Sequence, residues 1–193
     1  MKMGLKYVDP AMIVDATLGA SRMTGNSRRR SPRKSKLAEH FEREGYTLEE
    51  TEYEVLPPRG DHVDLKRALR RVDHGFLGEA RAFELPEVAW SPLDAHNAWA
   101  VYVLKDDRIL LEKTLDDPAT PAFVIDYLLL HELLHLANLP SEGGGEPEWH
   151  TDGFERQLAR FPRAVEAEAW LERRLADELR RKSARAAARQ RLT

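Results

Sequence analysis

The most apolar stretch of the chain reads Ala122-Phe123-Val124-Ile125-Asp126-Tyr127-Leu128-Leu129-Leu130-His131-Glu132-Leu133-Leu134-His135-Leu136-Ala137-Asn138. It has no glycine or proline and is apolar around most of a helical circumference, which predicts a buried helix. Thr120 is the expected N-cap, with Pro121 in the first turn. Further upstream, Val63, Leu65, Ala68, Leu69, Val72, Phe76 and Leu77 form the apolar stripe of an amphipathic helix over Asp61 to Leu77. Between these helices, Glu87 to Ser91, Trp99 to Leu104 and Arg108 to Glu112 read as strands. Asp106-Asp107 connects the last two as a hairpin. Downstream, Phe154, Leu158, Ala159 and Phe161 mark a helix to about Arg160. Pro162 breaks it, and a long charged helix follows from Arg163 toward Arg189.

The first 60 residues are less patterned. Pro10 to Ala20 reads as a short helix. Pro32 to Gly45 reads as another, with Leu37 and Phe41 on one face, and Thr51 to Leu56 alternates like a half-buried strand ending at Pro57-Pro58. Strands grouped ahead of a buried helix, with further helices behind it, give an α+β class: a small, mostly antiparallel sheet packed on the apolar helix, with a helical C-terminal segment.

Composition narrows the chemistry. The chain has 193 residues and no cysteine, which suits one domain plus an extension and excludes disulfides, a thiolate nucleophile and any cysteine-based metal site. The opening Met1-Lys2-Met3-Gly4-Leu5-Lys6 has no apolar leader core, and the apolar run is interrupted by Asp126, His131, Glu132 and His135, so a cytoplasmic protein is expected. A net charge of -3 conceals an asymmetry. Residues 22–36 carry Arg22, Arg28, Arg29, Arg30, Arg33, Lys34 and Lys36 without an acid. Residues 180–193 carry Arg180, Arg181, Lys182, Arg185, Arg189 and Arg191, also without one. Neither stretch interleaves aromatics, so a nucleic-acid contact there would be with phosphates and would not read bases.

The polar residues inside the apolar run form H-E-x-x-H. Helix positions four apart lie about 40° apart in azimuth and about 6 Å apart along the axis, so His131 and His135 can direct one ring nitrogen each to a shared metal. Glu132, turned by about 100°, suits the role of general base toward a metal-activated water. Two histidines and a glutamate in a buried helix need polar partners, and a metal supplies them; the alternative is a satisfied structural histidine pair. Zinc fits imidazole donors, with a third protein ligand and an open position. The only downstream histidine is His150, anchored ahead of Asp152-x-x-Glu155, a candidate N-cap pair. Glu142, Glu146, Glu148 and Glu155 are the competing carboxylates. His40 and His62 have no ligand-like spacing and read as surface or packing residues. No residue is singled out as an oxyanion partner; Tyr102, Tyr127 and His96 are the candidates in view.

With these residues in place, the chain resembles the SprT-like and YgjP-like zinc metallopeptidases. The likeness rests on His131-Glu132-Leu133-Leu134-His135, on Trp149-His150-Thr151-x-x-Phe154, and on Phe161-Pro162-x-x-x-x-Ala167-x-Ala169-Trp170-Leu171. Upstream it rests on Asp64-Leu65, Phe76, Pro86-x-Val88-x-Trp90-Ser91 and Leu115-Asp116-Asp117-Pro118, and it covers about residues 61 to 175. The resemblance implies a zincin-like, minigluzincin-type domain over 61–175, an N-terminal extension over 1–60 and a basic helical tail over 176–193. It also implies Zn2+ held by His131, His135 and His150, with Glu132 catalytic. The lack of cysteine departs from the many relatives that carry a zinc ribbon. His96-Asn97-Ala98-Trp99 departs from the glycine-containing segment that often opens the strand beside the metal.

The expected function is zinc-dependent hydrolysis of peptide bonds in protein substrates, with Trp99 to Leu104 as a candidate edge for an extended peptide. Because some SprT-like enzymes act on proteins attached to DNA, Arg28, Arg29, Arg30, Arg33 and Lys34 become candidate phosphate contacts. One rival is a metal-dependent nuclease of the YbeY type, whose helix reads H-x3-H-x5-H; Ser141 occupies the position of its third histidine. The other is a nucleic-acid-associated binding module with a structural metal.

Overall fold

The computed structural model of the chain describes residues 52–78, 81–93, 98–138 and 150–190. The expected helices over 10–20 and 32–45, His40, the arginine-rich stretch 22–36 and His96 lie outside the described residues.

Helix α1 is Leu65–Val72, capped by Asp64, whose Oδ1 accepts from the Arg67 N–H at 3.0 Å. Leu65, Ala68, Leu69 and Val72 are its buried stripe. The helix continues as a wider π turn over Asp73–Leu77, closed by Gly78 at φ 56°, so the expected end at Leu77 holds with a change of pitch. The expected start at Asp61 moves to Leu65, because the Asp61, His62 and Val63 N–H groups donate to Asp116 in a turn. Arg71 pairs bidentately with Asp126, the first of the two acids in the apolar run, which explains how the run tolerates it there.

Three strands form one sheet: β1 (Glu87–Ser91), β2 (Ala100–Val103) and β3 (Arg108–Glu112). The expected hairpin forms, with β2 antiparallel to β3 and Tyr102 opposite Ile109. Asp107 takes the left-handed conformation at φ 49° in the turn, and its Oδ1 accepts from the Tyr102 hydroxyl at 2.7 Å. The expectation of a mostly antiparallel sheet is corrected. The strand order is β1-β3-β2, and β1 runs parallel to β3, pairing Val88 with Ile109 and Trp90 with Leu111. The hairpin inserts its second strand beside β1, leaving β2 at the edge among the described strands. Central β3 is apolar on both faces, as a strand covered on both sides must be. Ile109 and Leu111 join the main core, while Leu110 joins a smaller cluster with Ala89, Ala98 and Val101.

The expected strand over residues 51–56 reduces to a single bridge between Leu56 and Trp90. The turn after it is fixed from a distance. The Asp116 carboxylate accepts the backbone N–H groups of Asp61 (2.6 Å), His62 (3.0 Å) and Val63 (2.9 Å), and Lys113 Nζ lies 2.6 Å away. A Cβ at Gly60 would fall 2.2 Å from Asp116 Oδ2, so only glycine admits this approach. His62 is exposed, as read from the sequence.

Helix α2 is Ala122–Ala137, with Val124, Ile125 and Tyr127 through Leu136 all buried. Pro121, not Thr120, occupies the N-cap position and supplies no side-chain cap; Thr120 lies one residue earlier with a buried hydroxyl. A helix sunk this deeply is held by packing more than by its cap. Helix α3 is Asp152–Leu158, and α4 is Ala164–Gln190, which runs unbroken across residue 175. The basic tail therefore continues the last helix of the domain. Ala167 and Leu171 bury α4 against the core, and the Arg174 guanidinium donates to the Thr114 carbonyl at 3.2 Å. Among the described residues no helix is long and apolar enough to cross a membrane.

Candidate metal centre

His131 and His135 project from adjacent turns of α2 and are 6% and 2% exposed. Their Nε2 atoms lie 3.2 Å apart. His150 enters from the start of α3, its Nε2 3.3 Å from that of His131. All three potential ligand atoms fall within 4.8 Å of one another. A tetrahedral ion with metal–nitrogen bonds of about 2.0–2.1 Å sets neighbouring ligand nitrogens about 3.3–3.4 Å apart, so two of the three edges have the length such an ion requires.

The local sequence explains how His150 arrives. Thr151 is the N-cap of α3: its Oγ1 accepts from the Phe154 N–H at 3.2 Å and its carbonyl from the Glu155 N–H at 3.0 Å. The cap is thus Thr151 instead of the expected Asp152-x-x-Glu155 pair, because a residue inside the first turn cannot serve as its own cap. Leu158 and fully buried Phe154 dock α3 in the core. At the end of α2, Asn138 Nδ2 donates to the Leu134 carbonyl at 2.8 Å, and its Oδ1 accepts from Gln157 Nε2 at 2.9 Å. This amide pair ties the helix bearing two histidines to the one that follows the third.

Burial, followed by the proximity of His135 and His150, pushes the His131 pKa well below its ordinary value, so its imidazole is neutral at physiological pH. A neutral imidazole offers one nitrogen lone pair. The three imidazoles, with their ligand atoms within 4.8 Å of one another, form a candidate donor set for a cation, and its all-nitrogen character suits a borderline transition metal. Glu132, beside His131, is also buried, at 4% exposure.

No protein-family model, curated protein or solved structure matches the chain.

The ring walls around the histidines were not legible from spacing alone. Phe154 has its ring centroid 5.0 Å from His131, 4.7 Å from His135 and 4.8 Å from His150. Its position four residues after His150 was visible; that it meets all three rings depends on how α3 docks. Tyr127 and Tyr102 have their hydroxyls engaged, Tyr127 donating to Glu168 at 2.7 Å and Tyr102 to Asp107. Burial and the Asp107 bond raise the Tyr102 pKa far above that of an ordinary phenol. Neither hydroxyl is poised as an oxyanion donor. Among the competing carboxylates, Glu155 is exposed, and Glu142, Glu146 and Glu148 lie outside the described residues.

Proposed function

We propose that this chain is a zinc metallopeptidase of the SprT-like or YgjP-like kind, a zincin-like hydrolase that cuts peptide bonds in protein substrates. The observation that carries the reading is the convergence of the His131, His135 and His150 Nε2 atoms at 3.2 and 3.3 Å beside a buried glutamate. His131, His135 and His150 would hold the ion. The chemistry zinc supplies when bound is Lewis acidity, which polarises a peptide carbonyl and makes water nucleophilic near neutral pH. Glu132, adjacent to the first ligand and buried with it, takes the proton of the attacking water and delivers it to the leaving amine. Strand β2, at the edge of the sheet among the described strands, would receive an extended substrate through main-chain hydrogen bonds.

The test is cleavage of an unfolded protein such as denatured casein by zinc-loaded enzyme. Glu132→Gln should lower the rate on the order of 10³-fold while keeping the zinc and the fold. A zinc-loaded wild type that cuts no unfolded, folded or DNA-bound protein would overturn the reading and leave a structural metal. The basic residues Arg28, Arg29, Arg30, Arg33 and Lys34 support a refinement in which substrates are DNA-associated proteins. Weak DNA binding that collapses with salt and on neutralising Arg28, Arg29 and Arg30 is expected, with DNA-free peptide cleavage unchanged.

A further inference from the structure

Phe154 is fully buried, and its ring lies within 5.0 Å, centroid to centroid, of each of the three histidine rings. It stacks on His135 at an interplanar angle of 28° and meets His131 edge-on at 81° and His150 at 60°. A phenyl ring has no donor or acceptor with which to orient an imidazole by hydrogen bonding. What it does is exclude: it fills the volume beside the three rings, blocks the rotamers that would turn their Nε2 atoms apart, and denies water that side of the cluster.

We infer that Phe154 is a positioning residue that enforces a low coordination number at this centre and thereby favours zinc over metals that want six ligands. The inference rests on the metal-centre reading above. The second observation behind it is the origin of Phe154 on the short helix that directly follows the third ligand: Thr151, between them, receives the Phe154 N–H, so His150 and the phenyl ring are placed by one capping turn. Seating the aromatic wall and seating the third ligand are therefore one event. Borderline, geometrically undemanding zinc accepts a closed three-nitrogen face, whereas a wetter site would admit additional oxygen ligands.

The experiment uses full-length protein, stripped of metal and titrated with cobalt(II) chloride, read by visible absorption and by zinc competition against a chromogenic chelator. Wild type should give the intense bands of low-coordinate cobalt. Absence of any cobalt or zinc binding by wild type would instead sink the metal-centre reading itself. Phe154→Leu, and Phe154→Met as a second variant nearer in volume, should fold, show weak six-coordinate bands, and bind zinc about 10–100-fold less tightly. The control is Leu158→Ala, which loosens the docking of α3 at a different buried residue of the same helix. It should lower thermal stability yet keep the intense cobalt bands and an affinity close to wild type. Wild-type spectra and affinity in both Phe154 variants would overturn the proposal, as would a Leu158→Ala protein that changes both readouts as much as they do.

Discussion

Asp116 and His131 are both buried polar side chains, and what surrounds them differs in kind. The Asp116 carboxylate, with 0% side-chain exposure, is met by complementary groups: three backbone N–H donors and the Lys113 ammonium. His131 Nε2 is met by two nitrogens of its own kind. The first cluster is complete, and its function is to hold the residue 60–64 turn against the approach to α2. The second has the spacing to hold a metal ion, its three ligand atoms lying within 4.8 Å of one another. A buried polar group met by complementary groups of the chain is scaffold, whereas a convergence of like donor atoms is a candidate ligand site.

The comparison can be broken most decisively at the histidines. His150→Ala should weaken zinc binding by more than about 100-fold, beyond what loss of an outer-shell partner costs, with thermal unfolding of the metal-free protein little changed. Full zinc content in that variant would move the third ligand to a glutamate. Asp116→Asn should do the reverse. It keeps zinc affinity but lowers stability by about 3 kcal/mol, because an amide cannot accept from all four donors, as urea unfolding would measure.

The same carboxylate sharpens the comparison through pH. Burial alone would raise its pKa; Lys113 and the backbone N–H groups of His62, Asp61 and Val63 outweigh that and hold it at about 2, against 3.8 ordinarily. A depressed folded pKa contributes stability that is present above about pH 4 and lost as pH falls through about 2, some 2 kcal/mol in all. Acid unfolding should show this loss in wild type and lack it in Asp116→Asn. The smallest effect is expected from Lys113→Met, about 1 kcal/mol, since the three backbone donors remain. A loss as large as that of Asp116→Asn would make the ammonium, not the backbone turn, the main partner.

Much of this was legible from local pattern. The helical stretches at 65–77 and 122–137, the hairpin and the break at Pro162 follow from periodicity and turn chemistry, and the histidine pair from spacing on one helix. His150 was reachable because no other histidine follows. The parallel placement of β1 was not, because it depends on which edge of the hairpin faces a strand more than 15 residues earlier, and no local rule encodes that choice. Asp116 and Phe154 were visible as residues but not as partners: one bonds a turn some 55 positions away, and the other gains its role only when two helices pack. Pro121 displaced Thr120 at the N-cap because burial of α2 left the cap little to contribute.

The Asp116 bonds also bear on the order in which the chain assembles. They close a loop between positions 53 to 55 residues apart, whereas the β2–β3 ladder pairs Val103 with Arg108. Loop-closure entropy favours the hairpin as an early event and makes the carboxylate a late arrival. Asp116 is then expected to have a φ-value near zero, and its replacement should speed unfolding while leaving the refolding limb of a chevron almost unmoved. On that account Asp116 acts as a brake on unfolding, setting how long an assembled molecule persists.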